Sequence, residues 1–144
     1  MNTIPIEFDI GTNRAECALG ARVFVNGIKI YDNAHVNETY HFSHDISDED
    51  GEHELCIEMY GKLPEHTKIN DAGEITQDAL LSIANIQIDG IDISQISANL
   101  IEYHHDFNGG QAAIVTQFYG TMGCNGQLKL RFTTPIYLWL LENM

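Results

Sequence analysis

The residue pattern predicts an all-β fold, an antiparallel β-sandwich or jelly roll with one or two short helical turns, in a single domain over residues 1–144. Three observations carry that expectation. Apolar residues alternate with polar ones over short runs, the period of a strand with one face in a core. Turn pairs recur at short intervals, at Asn26-Gly27, Asp50-Gly51, Ala72-Gly73, Asp89-Gly90, Gly109-Gly110 and Asn125-Gly126. Helical periodicity is weak almost everywhere.

Taken in order, Ile4, Ile6, Phe8 and Ile10 alternate with Pro5, Glu7 and Asp9 as a half-buried strand. Residues 23–25 and 28–30 flank Asn26-Gly27, a pair suited to a type I′ turn because both central positions need positive φ. This predicts a hairpin with Asn26 at its tip. Residues 39–42 and 52–60 read as two more strands, with the acidic loop DISDEDG between them as a solvated hairpin tip or, as the alternative, a weak calcium or magnesium site on the crowded carboxylates of residues 45–52. In the second of these, Leu55, Ile57 and Met59 share one face. Leu81, Ile83, Ile86, Ile88, Ile91 and Ile93 surround Asp89-Gly90, which makes either a second tight hairpin or a bulge in a longer strand. Residues 100–107, 114–119 and 127–132 complete roughly eight strands. One helical turn is expected within residues 75–83, and a short apolar helix after Pro135.

Composition bounds the function. With 44% hydrophobic and 19% charged residues, the 144-residue chain can bury a core without staples. The start, MNTIPIEFDI, has neither a basic region nor a continuous apolar stretch, so no signal peptide is expected, and no run reaches membrane-spanning length. Cys17, Cys56 and Cys124 are odd in number and far apart, which argues for a reducing cytoplasm rather than a disulfide framework. Cys56 reads as a small buried hydrophobe. Twenty-one acidic residues against seven basic ones give a formal charge of −14. Such a surface repels phosphate backbones and suits cations, basic partner surfaces or solubility in salt.

Chemistry-bearing patterns are sparse. There is no GxSxG, no HExxH and no cysteine in a catalytic setting, so an enzyme is not expected. His41 and His44 point to opposite faces of a strand, and His104, His105 and Asp106 diverge as neighbours, so no zinc site is expected. The stretch NDAGEITQD fails EF-hand spacing. It reads as a turn in which Asn70 and Asp71 bond nearby amides and Gly73 takes positive φ, at best a weak calcium site using Asp71 and Asp78. No cofactor is implied.

The run Ile136-Tyr137-Leu138-Trp139-Leu140-Leu141 holds the one tryptophan of the chain. Each large apolar side chain left in water forgoes about 1.5–3 kcal/mol of burial. The run is therefore expected either in the chain's own core or against another subunit, and Tyr137, Trp139, Leu140 and Leu141 are the candidate partner-binding residues.

The segments HELCIEMYGKLPEHTKINDAGEITQDALLSIANIQIDGIDI, YHHDFNGG and FYGTMGCNGQLKLRFTTPIYLWLLENM together resemble small β-sandwich proteins of tailed phages, marine and cyanobacterial ones especially, over roughly residues 50–144. DALLSIANIQIDGIDI is similar also to part of the jelly-roll calcium-dependent xylan-binding modules, with Asp78, Asp89 and Asp92 as the corresponding acids. The first resemblance implies a non-enzymatic virion protein, a capsid decoration or tail-associated component made in the host cytoplasm. Its partners would be other virion proteins or copies of itself, with no nucleic acid and no membrane. The second implies a calcium-dependent carbohydrate-binding module or tail adhesin that recognises a host glycan.

Overall fold

The computed structural model describes residues 3–93, 100–106 and 112–143. Its strands are β1 (Thr3–Thr12), β2 (Gly20–Val25), β3 (Ile28–Asn33), β4 (Tyr40–Ser47), β5 (Gly51–Tyr60), β6 (Thr67–Ile69), β7 (Ile75–Asp78), β8 (Leu81–Ile88), β9 (Ile91–Asp92), β10 (Glu102–His105), β11 (Ile114–Gln117), β12 (Thr121–Met122) and β13 (Gly126–Thr134). A 3-10 turn (Pro64–His66) precedes β6, and one helix, α1 (Ile136–Glu142), follows β13. One sheet runs β12-β8-β1-β4 with β9 added to β8, the other β11-β10-β13-β5-β2-β3, and β6 and β7 form a separate ribbon. All pairings are antiparallel. The predicted all-β sandwich is the fold.

Alternation fixes which face goes inside. Ile4, Ile6, Phe8 and Ile10 of β1, Leu55, Ile57 and Met59 of β5, and Leu128, Leu130 and Phe132 of β13 all lie in one buried cluster. A one-residue slip of any of these strands would turn its apolar set to water, so the pattern also pins the register. Phe8 and Phe42 stack at 4.6 Å inside the five-stranded sheet, and Tyr31 stacks on Tyr40 at 4.6 Å where the open edges of the two sheets meet.

Both tight hairpins form. Asn26 and Gly27 have φ of 53° and 80°, and Asp89 and Gly90 have 55° and 74°, the doubly positive geometry of a type I′ turn. The Asp89-Gly90 pair thus joins β8 to β9 rather than bulging one long strand. A bulge does occur earlier in β8, at Asn85 with φ 57°, where the pairing with β1 shifts between Glu7 and Asp9.

Two expectations fail. The helical turn over residues 75–83 is instead β7, which pairs with β6, and the start of β8, where Leu81 and Ile83 take alternate buried positions beside β1. The loop DISDEDG is not a hairpin tip, since β4 ends one sheet and β5 lies inside the other. Asp45, Ile46 and Ser47 belong to β4 and Gly51 to β5, and residues 48–50 cross between the sheets. The Gly109-Gly110 turn, and Phe107 at the end of the strand expected over residues 100–107, lie outside the described residues.

Candidate interaction surface around α1

The helix α1 is amphipathic over its two turns. Ile136, Trp139 and Leu140, at i, i+3 and i+4, go into the core, with Trp139 6% and Leu140 9% exposed. Tyr137, Leu138 and Leu141 face out, at 60%, 46% and 67%. The four residues expected to form one contact surface are therefore split: Trp139 and Leu140 seal the sandwich, while Tyr137 and Leu141 are joined outside by Leu138. The hydrophobicity of the run hid this division because it is apolar on both sides.

What holds α1 in place comes from distant parts of the chain. Pro135 leaves the helix start without a side-chain cap of its own. The carboxylate of Asp48, in the crossing between sheets, accepts a hydrogen bond from the Ile136 amide at 3.0 Å. The Thr134 hydroxyl donates to the Glu49 carbonyl. At the other end the Asn143 amide side chain donates to the Trp139 carbonyl at 2.8 Å. Beneath the helix, Trp139 meets Phe132 edge-on at 6.1 Å, and Phe132 stacks on His53 at 5.4 Å.

Beside α1 lies a groove of about 480 Å³ lined by Asn26, His53, Glu54, Arg131, Phe132 and Trp139 among others. Its polar side chains are already oriented. Asn26 Oδ1 accepts from the Glu54 amide at 2.9 Å, which turns its Nδ2 towards His53 Nδ1 at 3.0 Å. His53 Nδ1 must then be the acceptor, and Nε2 donates to Thr134 Oγ1 at 3.2 Å. The relay from Asn26 through His53 and Thr134 to Glu49 ties the β2–β3 tip, β5, β13 and the crossing together. Arg131 of β13 pairs with Glu54, the residue directly opposite it on β5, at 3.0 Å.

The other predicted residues fall elsewhere. In NDAGEITQD, Asn70 Oδ1 accepts from the amides of Ala72 and Glu74, both at 3.0 Å, and Gly73 has φ 82°, so residues 70–74 are the turn between β6 and β7, and residues 75–78 are β7 itself. Asp71 is exposed at its tip. Asp78 instead accepts from Lys62 Nζ at 2.5 Å and from the Thr67 hydroxyl at 2.6 Å. Asp78 and Asp89 lie beyond opposite ends of β8, a strand roughly 26 Å long, so they do not belong to one site. Among the described residues, no three His, Cys, Asp or Glu side chains converge as metal ligands.

His41 and His44 do face opposite ways. His41 Nδ1 lies 2.7 Å from Asp9 and Nε2 3.2 Å from Glu7, and those two carboxylates raise its pKa above the ordinary imidazole value. Asp9 in turn is held below the usual carboxylate range by hydrogen bonds from Asn85 and His41. His104 sits by Glu102 at 3.1 Å, while His105 leans on the Tyr103 ring at 4.5 Å. Cys56 is buried, and burial pushes its thiol up to about 11. It behaves as the small hydrophobe expected.

Sequence reasoning missed Lys62 altogether. Its side chain is 1% exposed, and its ammonium bonds Asp78 and the Gly123 carbonyl, both at 2.5 Å. Nothing local in GKLPEH marks this lysine as interior.

No protein-family profile, curated protein or solved structure matches the chain. The reading of its surface rests on the residues above.

Proposed function

We propose that this chain is a non-enzymatic structural protein of a phage particle, a capsid decoration or tail-associated component, that docks on another virion protein through the outer face of α1. The observation that carries this reading is the divided helix. Ile136, Trp139 and Leu140 anchor it rigidly, and Tyr137, Leu138 and Leu141 are left as a contiguous apolar strip in water. Strips of that kind on a firmly held element support docking more than catalysis. Asp48 sits at the start of α1 and Glu142 stands in its last turn, so the fitting partner is an apolar patch with a lysine- or arginine-bearing rim.

A test replaces Tyr137 and Leu141 with serine. The variant should fold normally and be missing from purified particles that contain the wild-type chain by mass spectrometry. Normal incorporation, or absence of the wild-type chain from particles, would overturn the reading.

The groove favours a second reading, a glycan-binding adhesin. Its fixed Asn26–His53 and Glu54–Arg131 pairs present amide, carboxylate and guanidinium groups in the form that sugar hydroxyls bond. The buried Trp139 and Phe132 offer no exposed ring for a sugar to stack on. A glycan array with the wild-type chain and Arg131→Ala separates the readings, because docking through α1 does not need Arg131.

A further inference from the structure

We propose that the contact between Asn26 and His53 is an acid-released latch, closed while the imidazole is neutral and opened when it takes a second proton. The donors leave one arrangement. Asn26 Oδ1 is taken by the Glu54 amide at 2.9 Å, so the Asn26 group that meets His53 Nδ1 at 3.0 Å is the Nδ2 donor. The ring nitrogen opposite must bring a lone pair. Protonation gives Nδ1 a hydrogen of its own, and two donors then point at each other.

Neither side adjusts without losing a bond. Flipping the Asn26 side chain brings its oxygen to the imidazolium but turns its Nδ2 on the Glu54 amide, again donor against donor. Flipping the ring sets carbons where the two nitrogens stood and gives up the bond to Thr134 Oγ1 at 3.2 Å. His53 is the better held of the pair, because it is half-buried and its ring stacks on Phe132 at 5.4 Å. Asn26 is exposed at the tip between β2 and β3. The Asn26 side chain therefore yields, and the Glu54 amide loses its acceptor.

The latch stands between two clefts. One is the groove beside α1, and the other is a space of about 330 Å³ between β3 and β4, lined by Val25, Ile30 and Ile46 among others. Among the described residues the two share only Asn26 and His53, so the latched pair is their partition and its release joins them. The charged and titratable groups around the ring are Glu52, Glu54 and Arg131 in the groove, His44 and Asp45 in the other cleft, and Glu49 beyond Thr134. Glu54 is paired with Arg131, and the Glu49 atom that Thr134 reaches is a backbone carbonyl. A proton added at Nδ1 therefore meets the Asn26 amide rather than a carboxylate.

Hydrogen exchange on the full chain tests this through the protection factor of the Glu54 amide, followed from about pH 8 down to about pH 5.5, the span in which histidine titrates. In the wild type that protection should fall roughly tenfold on acidification, the worth of one hydrogen bond. His53→Gln has no group that titrates there and should show no dependence on pH. Asn26→Asp keeps a residue suited to the type I′ turn and offers a carboxylate oxygen to the imidazolium, so its protection should rise on acidification instead. Wild-type protection that stays flat overturns the proposal, as does an equal fall in His53→Gln or a fall in Asn26→Asp. An equal loss across the amides of β1 would be global unfolding and overturns it too.

Discussion

The Asp48 carboxylate accepts a hydrogen bond from the Ile136 amide at 3.0 Å, so the acidic crossing between the sheets is fastened to the start of α1. A helix start leaves amide donors without partners, and Pro135 supplies none. Asp48 supplies one from 88 residues away in the chain. Asp48→Ala should lower stability by roughly 0.5–2 kcal/mol, the range for losing a capping side chain. Urea unfolding checks it: the midpoint should fall with the slope unchanged. No change would mean that water replaces the carboxylate without loss.

The two faces of α1 should separate by experiment. Trp139→Ala removes a side chain packed on Phe132 and should cost roughly 3–5 kcal/mol. Leu141→Ala changes an exposed position and should stay within roughly 0.5 kcal/mol of wild type. Removing residues 136–144 takes out Ile136, Trp139 and Leu140 together, so the truncated chain should unfold or aggregate. A truncated chain that stays folded, by thermal melting, would place the helix outside the core.

Much of the fold was legible because its strongest signals are local. Asn26-Gly27 and Asp89-Gly90 demand positive φ, and strand alternation is written in adjacent residues. The surface around α1 was legible only in part. The sequence DISDEDG looks like a solvated tip because its acidity is local, while the sheets it bridges and its bond to Ile136 are tertiary. The apolar run at residues 136–141 announces burial without saying which side is buried, since helical period alone separates Trp139 from Leu138. Lys62 carried no signal at all, because its partners Asp78 and Gly123 lie 16 and 61 residues away.

Between β1 and β4, His41 sits against Asp9 and Glu7 and should make stability depend on pH in a definite direction. Its folded pKa is raised, so its contribution is fully present below the unfolded value near 6.5 and is lost as pH rises through the folded value. The Asp9 pKa is lowered, so its contribution is present above the unfolded value near 3.8 and is lost as pH falls through the folded value. Both contributions are complete only between those two pH values. The melting temperature of the wild type relative to His41→Gln should be highest in that window and should decline above it. A difference that stays flat from pH 5 to pH 9 would show that the pair adds nothing to folding.

The buried pair of Lys62 and Asp78 predicts a local rather than a uniform loss. Lys62 hangs from the end of β5 and reaches two places, Asp78 at the end of β7 and the Gly123 carbonyl before β13. Its backbone is also held, since Asn125 Oδ1 accepts from the Lys62 amide at 2.9 Å and Asn125 Nδ2 donates to its carbonyl at 3.0 Å. The β6–β7 ribbon is not part of either large sheet, so this ammonium is one of its principal ties to the sandwich. Asp78→Ala leaves a cation with 1% side-chain exposure beside a single carbonyl, and breaking a buried pair in this way costs roughly 3–5 kcal/mol. Replacing the lysine by methionine as well removes the stranded charge and should recover much of that loss. Hydrogen exchange should report faster opening of residues 67–78 in Asp78→Ala before the central strands β1 and β5 are affected. Equal acceleration across β1, β5 and the ribbon would mean that the pair supports the whole sandwich instead of tethering one ribbon to it.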